Sequence, residues 1–150
     1  MTPRELEQYL HEHIPLSSAM RSSVDEISPD RVVLGAPLRP NINHRDTVFG
    51  GSASALCILA AWSLLYTRLA ASGHESRLVI QRNTMSYERP MAGRFTAHAP
   101  APPPEVWSVF MRTLKRKGRA RIVVSSTLRC DGQITGHFEG AFVALGPAGD

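Results

Sequence analysis

The chain has 150 residues, 43% hydrophobic and 20% charged, which is enough for one domain with a substantial core and excludes a disordered tail or a fibrous repeat. Lys and Arg number 17 against 13 Asp and Glu, a net charge of +4; that suits an anionic small ligand and falls short of what nucleic-acid binding demands. Cys57 and Cys130 cannot build a disulfide framework or a zinc site by themselves, so a reduced, cytoplasmic protein is the default expectation.

Residues Thr2–His13 read as an amphipathic helix with Leu6, Tyr9, Leu10 and His13 on one face. Thr2 can cap it, Pro3 suits the first helical position, and Glu5 falls in the first turn; Ile14-Pro15 ends it. This acidic start is unlike a secretory signal. Strands at Ser22–Ser28 and Arg31–Leu38 should meet at a Ser28-Pro29-Asp30 turn. A polar loop, Arg39–Phe49, follows.

From Gly50 to about Ser72 the spacing predicts one long helix, closed by Gly73 and on the order of 30 Å in length. No charge occurs from Thr47 to Thr67, but Gly50, Gly51, Ser52, Ser54 and Ser63 interrupt the apolar run. A bilayer span wants roughly 20 predominantly apolar residues, so a helix buried in a soluble fold is expected and no membrane association. It is apolar nearly all round through Tyr66, which requires enclosure on most sides.

The rest of the chain is strand-like. A strand pair is expected at Arg77–Arg89 and Arg94–Ala99, then a short helix at Glu105–Lys115, stopped by Gly118. Val106, Trp107, Phe110, Met111 and Leu114 share that helix's apolar face. Strands Arg119–Cys130 and Gln133–Leu145 form a hairpin about Asp131-Gly132. No repeat or long linker divides the chain, so 1–150 reads as one domain. Only a sheet can cover so much apolar helix, so an antiparallel sheet of about six strands should wrap the long helix. That is an α+β hotdog architecture.

The runs Asn41-Ile42-Asn43-His44, Thr47-Val48-Phe49-Gly50-Gly51-Ser52, Val79-Ile80-Gln81, Tyr87-Glu88-Arg89-Pro90, Lys117-Gly118-Arg119-Ala120-Arg121 and Phe138-Glu139-Gly140 occur in order over nearly the whole chain. In them the chain resembles the thioesterase family of the YiiD C-terminal type, of hotdog fold. The resemblance implies an acyl-CoA carbonyl held over the start of the central helix. It also implies side-by-side pairing into a homodimer or a dimer of dimers, with sites at the junction.

Gly50-Gly51 agrees with that placement on physical grounds. The first amides of a helix have no intrahelical partner, the helix dipole makes them electropositive, and glycine lets a ligand approach. A developing oxyanion would be met there by N–H donors. The alternative is a glycine pair that serves only the turn into the helix. Upstream, Asp46 or His44 could activate water and Asn43 could hold it or the carbonyl, with Asn41 beside them; an Asx-type turn explains the same residues without chemistry.

Hotdog thioesterases of several families carry an Asp or Glu two turns into the central helix. That position lies near Ile58 here, and no carboxylate occurs between Asp46 and Glu75. Either the loop performs the chemistry, helped by Gln81 or Asn83 on the next strand, or the protein binds thioesters without cleaving them. Arg112, Lys115, Arg116, Lys117, Arg119 and Arg121 concentrate positive charge; Arg119 and Arg121 could meet coenzyme A phosphates or an acyl carrier protein's acidic surface. Cys57 reads as a buried hydrophobe. The six His show no metal spacing, and neither a metal nor a redox cofactor is expected, coenzyme A entering only as part of the substrate. The expected activity is hydrolysis of an acyl- or aryl-CoA or carrier-protein thioester, with a non-catalytic acyl-thioester-binding module as the alternative and a dehydratase or hydratase as a weaker third.

Overall fold

A computed structural model describes the protein over residues 1–146; Pro147–Asp150, part of the single domain expected over 1–150, lie outside the described residues. Helix α1 (Pro3–His13) starts as its sequence dictates. Thr2 Oγ1 accepts from the Glu5 amide at 3.1 Å, and Glu5 Oε2 accepts from the Thr2 amide at 2.8 Å, a reciprocal capping box. Ile14-Pro15 ends α1 as expected, and Pro15 at once begins a separate short helix, α2 (Pro15–Ala19). A proline needs no amide partner at a first helical position, so the residue that stops one helix starts the next.

Strands β1 (Ser23–Ile27) and β2 (Arg31–Ala36) form the expected hairpin. After them come the central helix α3 (Gly50–Ala71), β3 (Arg77–Tyr87), β4 (Phe95–Pro100), α4 (Pro104–Lys117), β5 (Arg119–Cys130) and β6 (Gln133–Leu145). Gly73, Gly118 and the Asp131-Gly132 turn all take positive φ, which closes α3, α4 and the last hairpin as glycine and Asp-Gly predict.

The six strands make one antiparallel sheet in the order β1-β2-β4-β5-β6-β3. This is a hotdog fold: α3 lies against β2, β3, β4, β5 and β6. By length and composition α3 could cross a membrane, but ten of its residues are buried among the strands. The faces of β5 alternate throughout. Ala120, Ile122, Val124, Ser126 and Leu128 of β5 turn inward, while Arg119, Arg121, Val123 and Arg129 turn out.

The expected strand pair at Arg77–Arg89 and Arg94–Ala99 does not exist. β3 pairs with β6 at one edge, and β4 pairs with β2 and β5 on the other side. Pro90, with fixed φ and no amide, stops the strand, and the following segment crosses the start of α3, where Met91 O accepts from the Val48 amide at 2.8 Å. β4 reaches β5 only at residues 127–130, and α4 packs on β5 where β4 does not extend. On α4, Phe110, Met111 and Leu114 are buried, Trp107 is half-buried, and Val106 is exposed.

Candidate active site

The start of α3 is open. Its N-cap residue, Phe49, makes no side-chain capping bond, and the first helical amide bond is Ala53 N–H to Phe49 O at 3.1 Å. The amides of Gly50, Gly51 and Ser52 precede that bond and are the orphan donors of the helix. Beside them lies a cavity of about 290 Å³ lined by Val48, Gly50, Ala53, Tyr87, Leu128 and Thr135, among others. Tyr87 stands over Gly50: its hydroxyl donates to Gly50 O at 3.2 Å, and a Cβ on Gly50 would lie 3.4 Å from its ring. A Cβ on Gly51 would run into the Phe49 ring, which is itself exposed.

The segment Asn41–Phe49 is a miniature hairpin. Ile42 bridges Val48, the Asn43 amide donates to Thr47 O at 2.8 Å, and the Phe49 amide donates to Asn41 O at 2.7 Å. Asn43 holds the turn from within. Its Oδ1 accepts from the amides of Arg45 and Thr47, and its Nδ2 donates to Thr47 Oγ1 at 2.9 Å. That is the Asx alternative realised. Asn41 is buried beneath, its Nδ2 donating to Met20 O at 3.0 Å and Pro37 O at 2.8 Å. His44 and Asp46 occupy the exposed tip, and Asp46 takes φ of 62° there. The tip is three residues beyond Phe49, on the order of 10 Å of extended chain.

The remaining site residues expected from sequence do not converge on Gly50 within this chain. Asn83 is on β3, four positions before Tyr87, and stands on the α3 side because it pairs with Gly140, between the buried Phe138 and Phe142. Gln81 sits at a β-bulge and faces outward, its Oε1 accepting from Arg121 Nε at 2.9 Å. Arg121 and Arg119 belong to the opposite end of the sheet: Arg119 is nine positions up β5 from Leu128, on the order of 30 Å at strand rise. Within one chain they lie away from the Gly50 cavity, at the far end of the sheet.

Tyr87 and Thr135 had no role in the sequence reading, yet both line the cavity. The Tyr-Glu-Arg-Pro run marked a strand end, but nothing local said that this end meets the helix start. Glu88, at the rim, accepts from or pairs with His137 Nδ1 at 2.9 Å on the outer sheet face. On α3 itself, burial pushes the Cys57 thiol up to about 12, so it is no nucleophile. Trp62 and Tyr66 stack with Tyr9 of α1 as packing, at centroid distances of 6.3 and 4.9 Å. Among the described residues no group of three or more His, Cys, Asp or Glu could hold a metal ion.

A hotdog sheet with a cavity at an uncapped, glycine-led central helix defines the class of protein. The chain belongs to the family described as "Putative thioesterase (yiiD_Cterm)", whose model matches residues 3–146. Among solved structures it is similar to a protein of unknown function from Chlorobaculum tepidum TLS, with 28% identity, a TM-score of 0.92, and coverage of 97% of this chain and 94% of that one. A "putative thioesterase" from Shewanella oneidensis is 24% identical, with a TM-score of 0.86 and coverage of 95% and 96%. A "Probable Thioesterase" from Pseudomonas aeruginosa is 17% identical, with a TM-score of 0.74 and coverage of 97% of each chain. The last two likenesses show the fold alone; the family match places the chain among thioesterase-type hydrolases.

Proposed function

We propose that the protein hydrolyses an acyl- or aryl-thioester of coenzyme A or of an acyl carrier protein. The observation that carries this is the open start of α3, where Gly50, the first of three residues whose amides precede the first helical bond, lines a cavity. A thioester carbonyl laid on those amides becomes a tetrahedral oxyanion when water adds, and preorganised N–H donors at a helix start stabilise that charge. Gly50 and Gly51 supply the donors. Asp46, on a hairpin tip braced by Asn43, takes the water's proton, with His44 beside it. The thiolate of coenzyme A or of the carrier's pantetheine then leaves. The residues call for no metal or redox cofactor, and two buried thiols suit a cytoplasmic setting. The protein works as a homodimer joined through its sheet edge.

A second reading rests on α3 having no carboxylate along its length: an acyl-thioester-binding module without turnover. Purified protein incubated with a panel of acyl-CoA and carrier-protein thioesters should release free thiol, read with a chromogenic thiol reagent. Measurable binding with no thiol release from any member of the panel would sink the hydrolase and leave the binding module.

A further inference from the structure

We infer that Met91, held in place by Thr135, closes the inner end of the Gly50 cavity and limits the substrate to short acyl chains, at most about six carbons beyond the carbonyl. This rests on the thioester site proposed above and adds the residue that sets its chain length.

The cavity divides by exposure into a rim and a floor. Tyr87 and Glu88 are exposed at the rim, whereas Val48, Met91, Leu128 and Thr135 are buried. Gly50 is half-buried between them. An acyl chain whose carbonyl rests on Gly50 can leave water only by running onto that floor, which is apolar except for the Thr135 hydroxyl.

Volume sets the limit. The cavity encloses about 290 Å³, and a water-sized group takes about 30 Å³, so about ten such groups fit. The thioester carbon, oxygen and sulfur and the neighbouring methylene of the pantetheine arm take about four of these places, which leaves about six for the chain.

Thr135 makes the floor a fixed wall. Its carbonyl accepts from the amides of Glu88 and Arg89 at 2.9 and 3.1 Å, and its hydroxyl donates to Met91 Sδ at 3.0 Å. One residue of β6 thus grips both the rim and the floor. Met91 is held from the other side as well, since its carbonyl accepts from the Val48 amide at 2.8 Å, and Pro90 before it has a fixed φ. Methionine is otherwise an adaptable core side chain that yields to what packs against it. Tethered by its sulfur, it keeps its place and excludes a longer chain. Stability alone would not select this pair, because a thioether is a weak acceptor and valine would fill the place of Thr135 without a buried donor.

S-(2-oxoalkyl)-pantetheine thioethers test the floor without turnover. They carry the arm that coenzyme A and a carrier protein share, and they keep a carbonyl for the helix amides but have no thioester to break. Affinity read by calorimetry should rise about fourfold per added methylene up to about six, and fall about tenfold or more beyond that. Met91→Ala removes the end of the floor and should move this break outward by about two to three carbons. Thr135→Val opens no cavity, so it tests the same floor even where Met91→Ala does not fold. It should lower the discrimination against the first chain that is too long by about fivefold, the worth of one hydrogen bond, and Thr135→Ser, which keeps the donor, should restore it. No binding, an affinity indifferent to chain length, or a break that stays in place in the folded variants overturns the proposal. A break that moves while no thioester releases thiol leaves the floor standing and fails the hydrolase instead.

Discussion

Tyr87 and Gly50, thirty-seven positions apart, are joined by a hydrogen bond: the phenol donates to the glycine carbonyl at 3.2 Å. The bond fixes the end of the edge strand to the first residue of the central helix, and with it one wall of the cavity. Tyr87→Phe removes a bond at an exposed site, so the cost in stability should be below about 1 kcal/mol. The effect on turnover should be larger, on the order of tenfold in kcat/KM, because the wall loses its fixed position. A thermal melt set beside thiol-release kinetics separates the two. Equal and small effects would mean the wall needs no anchor.

Gly51 tests the oxyanion assignment. The nearest atoms to a Cβ there all belong to the exposed Phe49 ring, which can swing away, so Gly51→Val should fold with an unchanged far-UV spectrum. The introduced side chain crowds the amides that would hold the carbonyl, and losing one such donor typically costs roughly 10²–10³ in rate. Near-normal turnover in the folded variant would place the carbonyl elsewhere.

The base is settled by comparing two carboxylates. Asp46→Asn should cut kcat by roughly 10² or more with little change in melting temperature, as expected for removal of a general base at an exposed tip. Glu88→Gln, at a position engaged with His137, should cut it less. The reverse order would move the base from the hairpin to the strand end.

Asn41 carries structure instead of chemistry. It is 2% exposed and its amide serves two otherwise unpaired carbonyls, those of Met20 and Pro37. Asn41→Ala should destabilise by about 2–4 kcal/mol, the cost of stranding buried acceptors. The urea midpoint should drop while the far-UV spectrum keeps its shape. A loss under 1 kcal/mol (roughly the worth of one ordinary bond) would show that water replaces the amide.

His98 predicts a pH dependence. Burial, then the charges of Arg129 and Arg31, hold its pKa below the ordinary value. The unfolded chain therefore binds more protons than the native one as pH falls through about 6.5, and stability must decline on that side. The melting temperature should fall between about pH 7 and 5, and His98→Gln should reduce that slope. An unchanged slope would assign the acid sensitivity to other groups.

Much of the architecture was legible in the residues because local physics decides it. Thr2 and Glu5 form a capping box at a helix start, Asp131-Gly132 turns a hairpin through its tolerance of positive φ, and a run as apolar as Ala53–Tyr66 must be enclosed. The same local logic placed an electropositive helix start at Gly50. It did not find Tyr87, and it paired β3 wrongly with β4. Strand order and the distance between ends depend on contacts remote in sequence, which carry no periodic signature along the chain. Whether Asn43 serves a turn or a reaction was likewise open until its hydrogen bonds were known, since one amide suits both. The composition and periodicity of the chain determine that one helix is wrapped by one sheet. Only the tertiary structure decides which strand end meets the helix start, because that choice is made by packing and hydrogen bonds between segments the sequence keeps far apart.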